Sequence, residues 1–77
     1  MSKKTKTFRD RLAYLLDYYD IRVMTLDAKA GLYHGQTGSF LRGDTEPKLS
    51  TIIKLSKFFK DVSLEWMVLG KGTPFKK

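Results

Sequence analysis

Residues 26–43 read LDAKAGLYHGQTGSFLRG, and the two glycines that punctuate this stretch, Gly31 and Gly43, decide how the chain is divided. From about Val23 to Ala30 good helix formers run into Gly31, a residue suited to the left-handed turn that closes a helix. A second short segment, His34 to Leu41, closes at Gly43. Two short helices joined across a glycine turn are the skeleton of a helix-turn-helix. Gly35 and Gly38 fall inside the second helix on this reading. Each costs about 1 kcal/mol relative to Ala in a helix interior, which predicts a helix that frays. Neither Arg22 before the first helix of the pair nor Tyr33 before the second is a good N-cap.

Upstream, Phe8, Leu12, Leu15, Leu16 and Tyr19 lay one apolar stripe along an amphipathic helix, and Thr7 with Asp10 three residues on fits a capping box at its start. Downstream, Leu49, Ile52, Ile53, Leu55 and Phe59 carry the next apolar face, with Pro47 suited to the first turn of that helix. Ser63 is an N-cap for a last short helix holding Leu64, Trp66, Met67 and Leu69 and closed by Gly70. Strand-type alternation and hairpin turns are absent, so the fold expected is all-α, with five helices. Tyr14, Tyr18, Phe40, Phe58, Phe59 and Trp66 fall at helical spacing, which points mostly to core rather than to a base-stacking platform.

The chain has 77 residues, 42% of them hydrophobic, which is room for one small core. Cysteine is absent and His34 is the sole histidine, so neither disulfides nor thiolate zinc sites are available. Asp17 and Asp20 read as ordinary surface carboxylates, and no metal-ligand or phosphate-loop pattern occurs. The expectation is a protein that is not an enzyme, with no cofactor, metal or small-molecule ligand. The basic start MSKKTKTF lacks the apolar run of a signal peptide, and no stretch is long enough to span a bilayer. A cytoplasmic, non-membrane protein is expected. Fifteen Lys and Arg against eight Asp and Glu give a net charge of +7. This excess implies a polyanionic partner, with nucleic acid, anionic membrane and acidic protein all as candidates.

The ordered set Leu26, Gly31, Gly43, Pro47, the 49–59 apolar helix and WMVLGKG at 66–72 resembles the phage-repressor and Cro-like (XRE-type) helix-turn-helix family. The resemblance implies a compact lambda-repressor-like domain over residues 7–72. A basic arm (1–6) precedes it and a tail (73–77) follows, and the helix-turn-helix is formed by helices two and three. Several positions depart from the family pattern: Asp27 stands where a small Ala is usual, Thr37 where Ile or Val is usual, Arg22 and Tyr33 where Ser or Thr caps are common, and Gly35 and Gly38 fall inside the recognition helix. The resemblance further implies a transcriptional regulator that binds double-stranded DNA as a homodimer, at a short palindromic operator, and with it a second reading of Trp66, Met67 and Leu69 as a dimer contact.

In such a domain the second helix of the motif enters the major groove while flanking groups hold phosphates. His34, Gly35, Gln36, Gly38 and Ser39 then line the base-reading face. Gln36 is suited to adenine N6 and N7, Ser39 can donate or accept, and His34 can bond a purine acceptor or a phosphate. The glycines either bring the backbone close to the groove or simply weaken the helix. Arg22, Tyr33, Arg42 and Lys48 are the phosphate candidates, helped by the amino ends of helices two and four. Lys3, Lys4 and Lys6 either track the duplex or form a solubilising tail, and Lys54, Lys57 and Lys60 are assigned to solvent. The rival reading keeps the scaffold as a protein-interaction module, antitoxin-like or an assembly partner, with weak non-specific DNA binding. A third is binding of nucleic acid or anionic membrane through charge alone.

Overall fold

The computed structural model describes residues 7–76; the arm lysines Lys3, Lys4 and Lys6 lie outside them. The chain forms α1 (Phe8–Tyr19), α2 (Val23–Ala30), α3 (Gln36–Arg42), α4 (Leu49–Phe58) and α5 (Leu64–Leu69). Among the described residues the only extended pairing is an isolated antiparallel bridge between Val62 and Phe75, so the architecture is all-α as expected. No helix among these residues is long and apolar enough to cross a membrane.

Helix boundaries follow local chemistry. Thr7 Oγ1 accepts from the Asp10 amide (3.2 Å) and the Asp10 carboxylate accepts from the Thr7 amide (3.4 Å), a reciprocal capping box. Asp20 ends α1 with φ +55, a left-handed residue of a type that tolerates this region. Gly31, Gly43 and Gly70 close α2, α3 and α5 with φ of +78, +80 and +75. Ser63 Oγ caps α5 through the Trp66 amide (3.2 Å).

The helices enclose one core. Leu12, Leu15, Leu26, Leu55 and Met67 are fully buried, with Leu16, Phe40, Phe59, Val62 and Trp66 around them. Burying one such side chain stabilises the fold by roughly 1.5–3 kcal/mol, which makes this cluster the principal favourable term. Phe40 packs edge-on against Phe8, ring centroids 6.1 Å apart, and so ties α3 to α1.

Several sequence expectations need correcting. The helix expected from His34 begins at Gln36, and its N-cap is Gly35 rather than Tyr33. Gly35 has φ +87, where a glycine avoids the strain of any other residue, so the helix-interior penalty applies to Gly38 alone. Pro47 precedes the N-cap Lys48 and stands outside α4. Leu49 is 75% exposed and Ile53 is also exposed. The buried row of α4 runs instead through Thr51 and Leu55 to Phe59, spaced four residues apart. Trp66 and Met67 lie inside the core, so of the proposed dimer trio only Leu69 is exposed, accompanied by Leu64 and Val68.

Two seams join distant parts of the chain. Arg11, buried on α1, donates from Nε to the Met67 carbonyl (2.8 Å) and from Nη2 to the Val68 carbonyl (3.1 Å). It thereby satisfies the last turn of α5 with a cation at its negative end. Burial pushes its pKa down, opposed by the Asp10 charge. The other seam is the segment after α5: the Ser63 amide donates to Pro74 O and the Lys76 amide to Asp61 O, both at 2.8 Å. Phe75 is thereby laid against Tyr18, ring centroids 4.6 Å apart.

Arg11→Met keeps the apolar stem but leaves the α5 carbonyls without their donor. Chemical denaturation should show a loss of about 2–3 kcal/mol. An unchanged midpoint would mean that water replaces the guanidinium at no cost.

Candidate nucleic-acid interface

The α2–α3 unit is organised around one side chain. Asp27, 3% exposed, accepts from the Gly35 amide (2.7 Å), the Thr37 amide (2.9 Å) and the Thr37 hydroxyl (2.6 Å). Gly35 is the N-cap of α3 and brings no side chain, so a carboxylate from α2 supplies the cap in its place. A negative charge there also faces the positive end of the α3 dipole. The Asp27 carbonyl meanwhile accepts from the amides of Gly31 and Leu32. One residue thus closes α2 with its backbone and opens α3 with its carboxylate.

Asp27 and Thr37 are two of the departures from the resembled pattern, and the structure shows that they are partners. Sequence reading marked both as polar at positions meant to be apolar, and that joint departure was the available signal for a pair. Arg9 was missed. Its Nη1 donates to the Arg42 carbonyl (3.2 Å) in the last turn of α3, so α3 is held from α2 at one end and from α1 at the other. A Cβ at Gly43 would meet the Arg9 guanidinium, the far end of a flexible side chain that can shift aside, so the left-handed backbone is the reason for glycine there.

The expected base-facing residues divide into free and engaged groups. His34 and Tyr33 lie in the turn before α3, both exposed, Tyr33 by 81%. Gln36 is half-buried, and its Oε1 accepts from the Tyr33 amide (3.0 Å). A bidentate contact with adenine would use this oxygen's second lone pair together with Nε2. Ser39 is half-buried, its Oγ 2.9 Å from Thr45 Oγ1. Gly38 sits inside α3, and a Cβ there would meet only the mobile end of Arg42, at 3.3 Å.

Of the phosphate candidates, Arg22 and Lys48 are exposed N-cap residues of α2 and α4, and neither makes a side-chain cap bond. Among the described residues no side chain caps the first amides of either helix. Arg42 pairs with Asp44 at 2.9 Å, both well exposed, a contact worth no more than about 1 kcal/mol and weakened by salt. Lys54 departs from its assignment to solvent by donating to the Gly31 carbonyl (3.1 Å). No group of three His, Cys, Asp or Glu able to hold a metal occurs among the described residues.

No family model matches the chain, and no curated protein sequence does. A solved structure of similar fold is that of a transcriptional regulator from Listeria innocua, with a TM-score of 0.71 at 17% sequence identity. The match covers 92% of this chain and 64% of that protein, so the chain spans somewhat under two thirds of that regulator's length.

The Asp27–Thr37 pair predicts strong coupling. Thr37→Val should cost about 1–2 kcal/mol and Asp27→Ala about 3 kcal/mol, because the latter strands buried donors. The double variant should fall short of the sum by about 1 kcal/mol or more. Denaturation midpoints of the three variants test this, and strict additivity would show that the pair is not energetically joined.

Proposed function

We propose that this chain is a sequence-specific double-stranded DNA-binding transcriptional regulator, a phage-like bacterial repressor of the Cro and XRE type. In this reading a homodimer recognises a short palindromic operator with α3 in the major groove. The observation that carries it is the double anchoring of α3. A short helix held at its first turn by Asp27 and at its last by Arg9 presents its outer edge in one fixed orientation, as base reading requires. Around that edge stand Arg22, Arg42 and Lys48, all exposed.

In this scheme His34 and Gln36 make the side-chain contacts to bases, with Ser39 joining if it exchanges its bond to Thr45 for one to a base edge. Gly35 and Gly38 allow the backbone to approach the groove. Arg22, Tyr33, Arg42 and Lys48 hold phosphates together with the open amino ends of α2 and α4. The basic arm over 1–6, with Lys3, Lys4 and Lys6, adds contacts outside the 7–72 domain, and residues 73–77 form the tail. The exposed Leu64, Val68 and Leu69 are the apolar surface available to a second copy.

A second reading is favoured by one observation: Gln36 Oε1 and Ser39 Oγ are already committed within the molecule, which leaves few unoccupied groups for base readout. Under it the helix-turn-helix is a protein-interaction module with weak, non-specific DNA binding.

Selection from a random duplex pool at near-physiological salt separates the two, since specific affinity exceeds non-specific by about 10³ or more. Enrichment of a two-fold symmetric site, with His34→Ala and Gln36→Ala each weakening binding about tenfold or more, is the expected result. Salt-sensitive retention without a consensus, indifferent to both substitutions, would transfer the assignment to the interaction module. Gly38→Ala adds a further test. It should stabilise the fold by up to about 1 kcal/mol while lowering DNA affinity, if the backbone there approaches the groove. A variant more stable and equally tight would remove Gly38 from the interface.

A further inference from the structure

We propose that the groove between the C-terminal ends of α2 and α4 is a docking site for an acidic segment of a partner protein that also carries an apolar side chain. The groove has a volume of about 400 Å³ and is lined by Lys29, Ala30, Lys54, Lys57, Phe58 and Lys60. Four of the six residues are lysines and none is a carboxylate. Among the described residues the one ion pair joins Arg42 to Asp44, so Lys29, Lys57 and Lys60 face the groove without a neutralising partner. The nearby Asp61 exerts its charge on Tyr19 and is not part of the lining.

The helix ends account for three of the four cations and leave Lys60 over. Lys29 and Lys57 stand in the last turns of α2 and α4, where a positive charge offsets the negative helix end. Lys54 already serves the end of α2 by donating to the Gly31 carbonyl. Lys60 lies beyond α4 altogether, and its charge adds to a site whose helix ends are provided for.

The groove is separated from two of the proposed phosphate groups, although Tyr33 and His34 lie in the turn that follows α2. Arg22 and Lys48 mark the amino ends of α2 and α4, whereas the groove lies toward their carboxyl ends. The helices are roughly 12 and 15 Å long at 1.5 Å per residue. Its base favours a peptide over a second nucleic-acid segment. Ala30 and Phe58 are half-buried and packed on the core, and Phe58 is fixed against Phe59 with ring centroids 4.9 Å apart. A sugar-phosphate backbone would satisfy the lysines and leave this apolar floor unused. A peptide with carboxylates flanking a Leu or Phe satisfies both, and the clustered charge steers its approach. This site is independent of base reading by α3, and its test does not depend on that reading.

The test is a titration of the uniformly 15N-labelled full chain with a short synthetic peptide of Glu and Asp residues flanking one Leu and one Phe. Two comparators are used: the same peptide with Ala for Leu and Phe, and a duplex DNA oligomer. The expected result is amide shifts confined to residues around Lys29, Ala30, Lys57, Phe58 and Lys60, with affinity at least tenfold weaker for the Ala peptide. A Lys29→Gln, Lys57→Gln, Lys60→Gln variant should lose tenfold or more in peptide affinity and keep its duplex binding, with Lys54 left in place for Gly31. The map on the unsubstituted protein decides the location whether or not that variant folds. Shifts centred on α3, equal affinity for the Ala peptide, no detectable binding, or displacement of the peptide by duplex DNA seated on the same amides would each overturn the proposal.

Discussion

Everything that orients α3 begins with a carboxylate taken out of water. Asp27 has no space to be solvated, so its oxygens must be satisfied by the donors that face it: two backbone amides and a hydroxyl, all from the start of α3. That requirement adds a polar constraint on how α2 meets α3 to the core packing of Leu26 and Phe40. It also explains how a glycine can be the N-cap: Gly35 supplies the left-handed bend and a neighbouring helix supplies the oxygen. Anchoring by Arg9 and the edge contact of Phe8 with Phe40 complete the fixation from α1.

A similar economy holds at the other side of the domain. The six-residue α5 is too short to be stable alone, and it is retained by Arg11 on its carbonyls, Ser63 on its amides and Trp66 with Met67 in the core. The segment that follows returns to the start of α5 and places Phe75 against the end of α1. The short helices α3 and α5 are therefore closed by local glycines and held in place by side chains from elsewhere. Four of the chain's lysines line the groove at the carboxyl ends of α2 and α4.

Features set by near neighbours along the chain were legible in the sequence. The capping box at Thr7 and Asp10, the Ser63 cap, the closing glycines and the five-helix order needed only spacing and side-chain chemistry. What escaped depended on proximity in space. Gly35 was counted as a helix residue because its partner oxygen belongs to α2. Leu49 was placed inward by helical periodicity, but Thr51 holds the buried row. Asp27 and Thr37 stood out as anomalies, while their mutual bond became visible only when the turn between them was folded. Arg9 and the groove lysines belong to separate helices, so the chain gives no linear sign of their convergence. Of the expected site, His34 is exposed as foreseen, whereas the Gln36 and Ser39 bonds to Tyr33 and Thr45 could not be anticipated from residue type.

The Asp27–Thr37 bond has a consequence for the history of such a chain. An apolar pair and a polar pair are each self-consistent at these two positions, but every single-step route between them passes through a buried group without its complement. Such an intermediate is penalised by about 1–3 kcal/mol, a large share of the 5–15 kcal/mol that a typical fold has in reserve. Each residue of the polar pair thus makes the other costly to replace, as a ratchet tooth resists being turned back.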